Sequence, residues 1–590
     1  MAAINEIFKP YQKEGRSTMI LTGRSIYDLD CRDDASISSS LVKLMAEYAK
    51  NLNMAFVRYS KAKGLFVPYS MYEKADAETI KKVLNNNGIS NGACNSGNCK
   101  ASQELVNILS GISRMSSSSN TEYLWKNGQP MKFLFLLEFS SHIMPNSSTD
   151  NQDVANELIY GINHSSTFRN SGHLLILSDV EEGKINSQIQ SLLYHNFLPY
   201  PDSEEKLKFI KGLHSLYPNV QYAPNVDDHL IANLTSGTPN QSLEQLFYAS
   251  QHHGLLIEER GLVEQKMKDV QDISEGTITM LDTSRVKNIT LAGENTRNAL
   301  SFVNELASGL RAGNKSTPLN ILLMGAPGTA KTVMAISVAL KAGVPGFQLN
   351  SPKAGIVGET ERRAALQARI FSSTTPSLGF IDEITEAMPM QRTQNLDSGA
   401  SDAVMQSLLN MLSDNSREGR SMIVATTNCG FKMGAAMRDR FVIVPVIMPS
   451  LEDFPAIICS LAQQVSETTL DEHDHEIQAA AKIFYAKHLM PRRMRAAMQL
   501  TCQGGRLTSR EILEAAKDAN PLDEASWLSA VYADLCAISL TVSKRLLPWY
   551  GREDTYPFPE YIRNILDENH EVDSVKLNNE INRLQPYVNV

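Results

Sequence analysis

Residues 1–260 alternate short apolar runs with stretches of helical periodicity. STMILTGR (17–24), NMAFVRYS (53–60), MKFLFLLEFSS (131–141) and HLLILSDV (173–180) read as strands. The last two are continuous apolar runs, as expected for strands buried on both faces of a parallel sheet. SSSLVKLMAEYAKNL (38–52) repeats at helical spacing, and a polar, Gly/Asn-rich loop follows around 85–100. Strands separated by helical stretches predict an α/β layer with a parallel sheet. Residues 203–260 then read mostly helical, EEKLKFIKGLHSLY most clearly. The plan divides the chain into an N-terminal α/β domain (1–200), a helical lid-like region (201–260), a charged linker (261–284), a second α/β core (285–449), a helical lid (450–520) and a helical tail (521–590). No short-period repeat occurs, yet both halves follow one α/β-plus-helices plan.

Bulk properties narrow the classes. A chain of 590 residues has room for roughly three to five domains. With 56 basic and 65 acidic residues the net charge is −9, so this is not a general polyanion binder, although a local basic groove is compatible with it. The seven cysteines are odd in number and scattered, which argues for a reducing compartment rather than a disulfide framework. Cys94 and Cys99 lie in a loop that supplies no two further metal ligands, and His473 and His475 of EHDHE alternate across helix faces. The charged start MAAINEIFKPYQKEGR is no signal peptide, and no uninterrupted apolar stretch approaches the ~18 residues of a membrane span. A cytoplasmic protein without a membrane span is expected.

The strongest chemical signal lies in LNILLMGAPGTAKTVMAISVAL (319–340). An apolar strand runs into Gly325, Ala326, Pro327, Gly328, Thr329, Ala330, Lys331 and Thr332, and a helical stretch begins there. Small residues let backbone N–H groups curl around phosphates, and the helix N-terminus adds partial positive charge. Lys331 can reach the β- and γ-phosphates of ATP, and the Thr332 hydroxyl can ligate Mg²⁺. Ala330 stands where the strict pattern has its last glycine. PSLGFIDEIT (376–385) is a second apolar strand, ending in Asp382 and Glu383. At this distance from a P-loop, Asp382 suits a Mg²⁺-holding Walker-B carboxylate and Glu383 a general base.

These elements, with those that follow, resemble the AAA+ superfamily, and most of all the AAA clade that includes FtsH, katanin, spastin and the fusion ATPase NSF. The fold class implied is a P-loop α/β sheet with a helical lid. SMIVATTN (421–428) resembles a sensor-1 strand ending in Asn428. MRDRF places Arg438 and Arg440 where arginine fingers would reach a neighbouring subunit's γ-phosphate; without that context they would read as surface ion-pair formers. MPRRMRAAM (490–498) resembles the start of a sensor-2 helix, carried by Arg492 or Arg493. ITLAGENTRNAL (289–300) resembles the adenine-contacting segment, with Gly293 at its turn. GIVGETERRAALQARIF (355–371) resembles the pore-loop region, with Ile356 in place of the usual aromatic residue and Val357 after it. These two could grip a polypeptide or simply pack inside the subunit. The resemblance covers about 235 residues.

The resemblance implies a homo-oligomer, a hexameric ring with sites shared between protomers, working with ATP and Mg²⁺ on a protein substrate or partner complex. The first half reads as a degenerate, nucleotide-free AAA-like copy or as an unrelated α/β adaptor. STMILTGRSIYD lacks Gly-Lys-Ser/Thr, and LFLLEFSS offers only Glu138. LLILSDVEEGK sits like a sensor-1 strand, and LPYPDSEEKLKFI like a lid entry. Two other function classes remain beside the remodelling motor. One is a nucleic-acid-linked ATPase, a loader or defence sensor; the other is a nucleotide-gated scaffold.

Overall fold

A computed structural model describes the chain except residues 1, 33–35, 39, 90–100, 116–122, 146–149, 181–184, 287–288, 290, 312, 353–358, 388–397, 503–504 and 589–590. Ile356 and Val357 lie outside the described residues, as do Cys94 and Cys99. The chain divides into two compact units, Met1–Glu259 and Arg260–Val590.

In the first unit the strands are β1 (Thr18–Gly23), β2 (Asp30–Cys31), β3 (Ile37–Ser38), β4 (Met54–Ser60), β5 (Gly64–Phe66), β6 (Lys132–Glu138), β7 (Leu174–Ser178) and β8 (Tyr194–Leu198). Six of them form a sheet in the order β5-β4-β6-β7-β1-β8, while β2 and β3 pair separately. Only β5 runs antiparallel in that sheet. Residues 133–138 and 174–178 are buried throughout, because helices cover both faces of the central strands. Alternate side chains feed two apolar clusters, one holding Phe133, Phe135 and Leu175 and the other Leu134, Leu136 and Ile176.

In the second unit the strands are β9 (Ile278–Met280), β10 (Asn320–Met324), β11 (Gly346–Leu349), β12 (Ser377–Ile381), β13 (Ser421–Thr427) and β14 (Val442–Pro445). Their order is β14-β10-β13-β12-β11-β9, with β9 antiparallel at the edge. Counting only the parallel strands of each unit in chain order, both sheets read 2-3-4-1-5. In both, the first parallel strand therefore lies between the fourth and the fifth.

Two stretches outside the second α/β core pack against its sheet. Residues 261–284 are not a free linker. The helix Glu259–Ile273 buries Leu262 and Val270, and β9 completes the second sheet. Residues 521–590, expected as a helical tail, pack on the same sheet. The helix Glu524–Ser539 is buried continuously from Ala530 to Ile538, and Trp549, Tyr556 and Tyr561 join the same apolar cluster as Leu322 and Ile423 of the sheet. A helix that is apolar all round must be covered on every side.

His173, just before β7, is buried, and burial pushes its imidazole down to about 4, with Lys132 adding to the effect. Its Nδ1 accepts from the Phe133 N–H at 3.2 Å, a bond that protonation would destroy. The unfolded chain takes up this proton near pH 6.5 and the folded chain only near 4. The contribution is therefore complete above about pH 6.5 and lost as pH falls towards 4. It amounts to roughly 3 kcal/mol. Urea melts between pH 7 and pH 4 should show a His173→Gln variant losing that much less stability than the unmodified chain.

Candidate functional site

The carboxyl ends of β10, β13 and β12 are neighbours in the sheet, so three loops far apart in sequence open onto one space. That space is a cavity of about 550 Å³. The loop after β10 takes conformations that small residues tolerate best. Gly325 has φ 155°, and a Cβ there would lie 2.2 Å from the Val446 carbonyl oxygen. Gly328 has φ 84° and packs against Met490. Ala330 sits in the left-handed region at φ 66° as the N-cap of the helix Lys331–Ala342. For an L-residue that costs about 1–2 kcal/mol. An Ala330→Gly variant is expected to retain ATP turnover and to gain up to about 1 kcal/mol, as measured by thermal melting, since glycine's freedom in the unfolded chain offsets part of the relief.

Lys331 is buried and folds over this loop. Its Nζ donates to the carbonyl oxygens of Gly325 (3.0 Å) and Ala326 (2.6 Å) and to Asn428 Oδ1 (2.7 Å). Burial pushes its ammonium down to about 8, against the pull of Glu383, Asp534 and Asp382. Phosphate oxygens could take over these acceptor positions. Thr332 Oγ1 donates to Asp382 Oδ1 at 3.0 Å, and Thr426 Oγ1 donates to the same oxygen at 2.7 Å. Thr332 and Asp382 thus present hydroxyl and carboxylate oxygens side by side, a donor set that fits a hard divalent cation such as Mg²⁺.

Glu383 adopts φ 41°, unusual for a non-glycine residue, and its N–H is held by Thr426 Oγ1 at 3.0 Å. Its carboxylate accepts from the Asn428 N–H at 3.1 Å and from the Asn428 side-chain amide. Burial raises its pKa, which the Asn428 N–H and the charge of Lys331 oppose. Asn428 therefore touches both Lys331 and Glu383, a consequence of β13 lying between β10 and β12.

Apolar side chains close the other end of the cavity: Leu291, Ala292, Ile457 and Leu461. Gly293 does not line it. It turns the chain at φ 90° beside Ile457 and Asp453, and Asp453 accepts from the Glu294 N–H at 2.7 Å. The helix Pro491–Thr501 begins on its proline, which presets helical φ without wasting a donor. Arg492 lines the cavity and Arg493 does not. Instead Arg493 acts on the carboxylate of Asp523. Arg495, one turn along from Arg492, also lines the cavity, and its buried Nε has no hydrogen-bond partner among the described residues. Sequence reading missed Arg495, although its i+3 spacing from Arg492 places it on the same face.

Arg438 ends the short helix Ala435–Arg438 and Arg440 follows it; neither lines the cavity. Arg440 Nε donates to Ser413 Oγ at 2.6 Å, and its guanidinium also bonds the Ala436 carbonyl. His473 and His475 belong to no cluster; among the described residues no three His, Cys, Asp or Glu side chains could hold a metal together. No helix there is long and apolar enough to cross a membrane.

In the first unit the corresponding strand ends are occupied by their own side chains. Arg24, after β1, is buried and donates to Asp28 (2.6 Å) and to the Leu29 carbonyl (2.5 Å). Asp28 in turn accepts from the N–H groups of Asn240 (3.2 Å) and Gln241 (2.9 Å) at the start of a helix. Glu138, at the end of β6, is tied to Arg58 and to the Tyr27 hydroxyl.

Residues 321–447 match the family described as "ATPase family associated with various cellular activities (AAA)". The chain is 33% identical over 127 residues to the "ATPase family gene 2 protein" of Schizosaccharomyces pombe, covering 21% of this chain and 16% of that protein. It is 35% identical over 141 residues to the "ATP-dependent zinc metalloprotease FtsH" of Syntrophus aciditrophicus, covering 22% and 19%. With the "Fidgetin-like protein 1" of Drosophila melanogaster it shares 29% over 160 residues, covering 26% and 30%. The chain thus spans less than a third of the length of each of these relatives.

Proposed function

Residues 321–447 are an ATPase domain of the AAA family, and from that premise we propose that the chain hydrolyses ATP in a ring of identical subunits and uses the cycle to remodel a protein partner. The observation that carries the reading is the convergence of Lys331, Thr332, Asp382, Glu383, Asn428 and Arg492 on one cavity with an apolar far end. The apolar end suits an adenine ring, and the loop from Gly325 to Thr332 suits the phosphates. Thr332 and Asp382 would hold Mg²⁺, which would supply charge neutralisation at the phosphates. Glu383 accepts the proton of the attacking water, Asn428 orients Glu383, and Arg492 and Arg495 supply positive charge from the lid side.

Arg438 and Arg440 lie off the chain's own cavity. An arginine finger in that position needs a second subunit to act on, and head-to-tail contacts of this kind close into rings. A hexamer, with Ile356 and Val357 at its pore, is the assembly we favour. The first unit is a nucleotide-free copy in this reading, supported by the shared 2-3-4-1-5 strand order and by the Arg24–Asp28 pair filling the strand end.

The test is a Glu383→Gln chain held with ATP. Mass photometry should show rings that depend on ATP. A protein retained on these rings, and released when Ile356 and Val357 are replaced, would identify the substrate. Chains that stay monomeric at saturating ATP would sink the ring. Bound nucleic acid that salt removes would favour a loader over a remodelling motor.

A further inference from the structure

Among the described residues one carboxylate has no exposed surface at all. Asp534 lies midway along the helix Glu524–Ser539, beyond the lid, and has no exposed surface. Its Oδ1 accepts from the Ala326 N–H of the P-loop at 2.7 Å. Its Oδ2 accepts from the Met448 N–H at 2.8 Å and from the Tyr561 hydroxyl at 2.8 Å. Met448 precedes Pro449, which lines the cavity, and the lid helix Phe454–Ser466 starts five residues further on. A single carboxylate therefore ties the start of the P-loop to the connection between sheet and lid. Gly325 is clamped in the same place, since a Cβ there would meet both the Val446 carbonyl and Asp534 Oδ1.

Two further residues of the C-terminal segment reach the start of the helix Glu294–Arg311. The Tyr556 hydroxyl donates to Asn295 Oδ1 at 2.5 Å, and Asn295 Nδ2 donates to the Met448 carbonyl at 3.1 Å. Arg552 pairs with Glu294. Asn295 is adjacent to Thr296, which lines the cavity. Residues from one segment, 534–561, thus hold the P-loop, the sheet–lid connection and the residues next to Thr296.

We propose that the C-terminal segment 521–590 is part of the nucleotide site, with Asp534 the positioning residue that holds the P-loop in its phosphate-binding form. This rests on the reading that the P-loop binds ATP. The Ala326 N–H is engaged by Asp534, and Asp534 does not line the cavity, so Asp534 acts on nucleotide only through the loop. Burial pushes its carboxyl up to about 6, against its hydrogen-bond donors. Those donors are what keep it an acceptor at neutral pH. Asparagine in its place would turn an NH₂ towards one of the two backbone N–H groups and free either the P-loop or the lid connection. A loop that cradles the phosphates through its backbone would hold them alike before and during hydrolysis, so the expected loss is one of uniform binding, shared by ADP through its β-phosphate.

The experiment compares the full chain with Asp534→Asn, Tyr561→Phe and Lys331→Ala, measuring dissociation constants for ATP and ADP, KM and kcat, with melting curves to confirm folding. Asp534→Asn should bind both nucleotides about tenfold more weakly, with KM rising in parallel and kcat held within about threefold. Tyr561→Phe, which keeps both backbone bonds and loses one donor, should show about a threefold loss for both and serves if Asp534→Asn does not fold. Unchanged affinity in a folded Asp534→Asn chain overturns the proposal, as does unchanged affinity in Tyr561→Phe when only that variant folds. A fall in kcat at unchanged affinity overturns it too. If the unmodified chain binds no nucleotide, or Lys331→Ala binds as well as it does, the ATP-site reading itself has failed.

Discussion

Glu383→Gln is expected to reduce ATP turnover about 10²–10⁴-fold, the usual contribution of a positioned general base, while ATP binding survives. The carboxylate is half-buried and held from one side by the backbone and side chain of Asn428. Burial favours its protonated form, which is the direction that makes a carboxylate a better proton acceptor. Glutamine keeps the size and can still accept one hydrogen bond from Asn428, so the loop should hold its shape. Lys331 and the backbone after Gly325, which make the phosphate contacts in our reading, are untouched. Single-turnover hydrolysis and equilibrium ATP binding on one preparation separate the two effects. Turnover within about tenfold of the unmodified chain would remove Glu383 from the role of base.

Arg438→Ala should cost still more, about 10³–10⁵-fold in kcat, if this guanidinium stabilises charge on a neighbour's γ-phosphate. Arg440 is already engaged with Ser413 and the Ala436 carbonyl, so its replacement should cost stability more than rate. Neither change should weaken ATP binding by the isolated subunit, because neither residue lines its cavity. The decisive measurement mixes Arg438→Ala chains with Lys331→Ala chains. Each variant alone should be inactive, but a site shared between subunits lets the arginine of one serve the P-loop of the other, and activity should return in the mixture. No recovery would mean that Arg438 acts within its own chain or not at all.

Much of the site's inventory could be read before any fold was known. Lys331, Thr332, Asp382, Glu383 and Asn428 each lie beyond an apolar run that reads as a buried parallel strand. Helical spacing could have separated Arg492 from Arg493 and added Arg495 to it. By contrast, β9 has three residues and pairs antiparallel with β11, a partner 71 positions away at Ile278–Leu349. A strand that short carries no periodicity of its own, and its charged helical prelude reads as a linker. Asp534 left a faint mark, a lone acid in the apolar run Ala530–Ile538, but nothing local says which N–H groups it meets.

The sequence by itself determined the elements whose reasons are local. These are the strands β10, β12 and β13, the turn that needs small residues between Gly325 and Ala330, and the chemistry of the side chains at each strand's end. Tertiary structure alone decided what depends on which strands are neighbours. It put Asn428 between Lys331 and Glu383 and turned the helix face that carries Arg492 and Arg495 into the cavity. It filled the first unit's strand end with the Arg24–Asp28 pair, and it carried the C-terminal segment beneath the P-loop. The physical reason is range. Periodicity and turn chemistry act over a few residues, whereas the Asp534–Ala326 bond spans 208 positions and forms only where the buried stretch Ala530–Ile538 packs against the sheet.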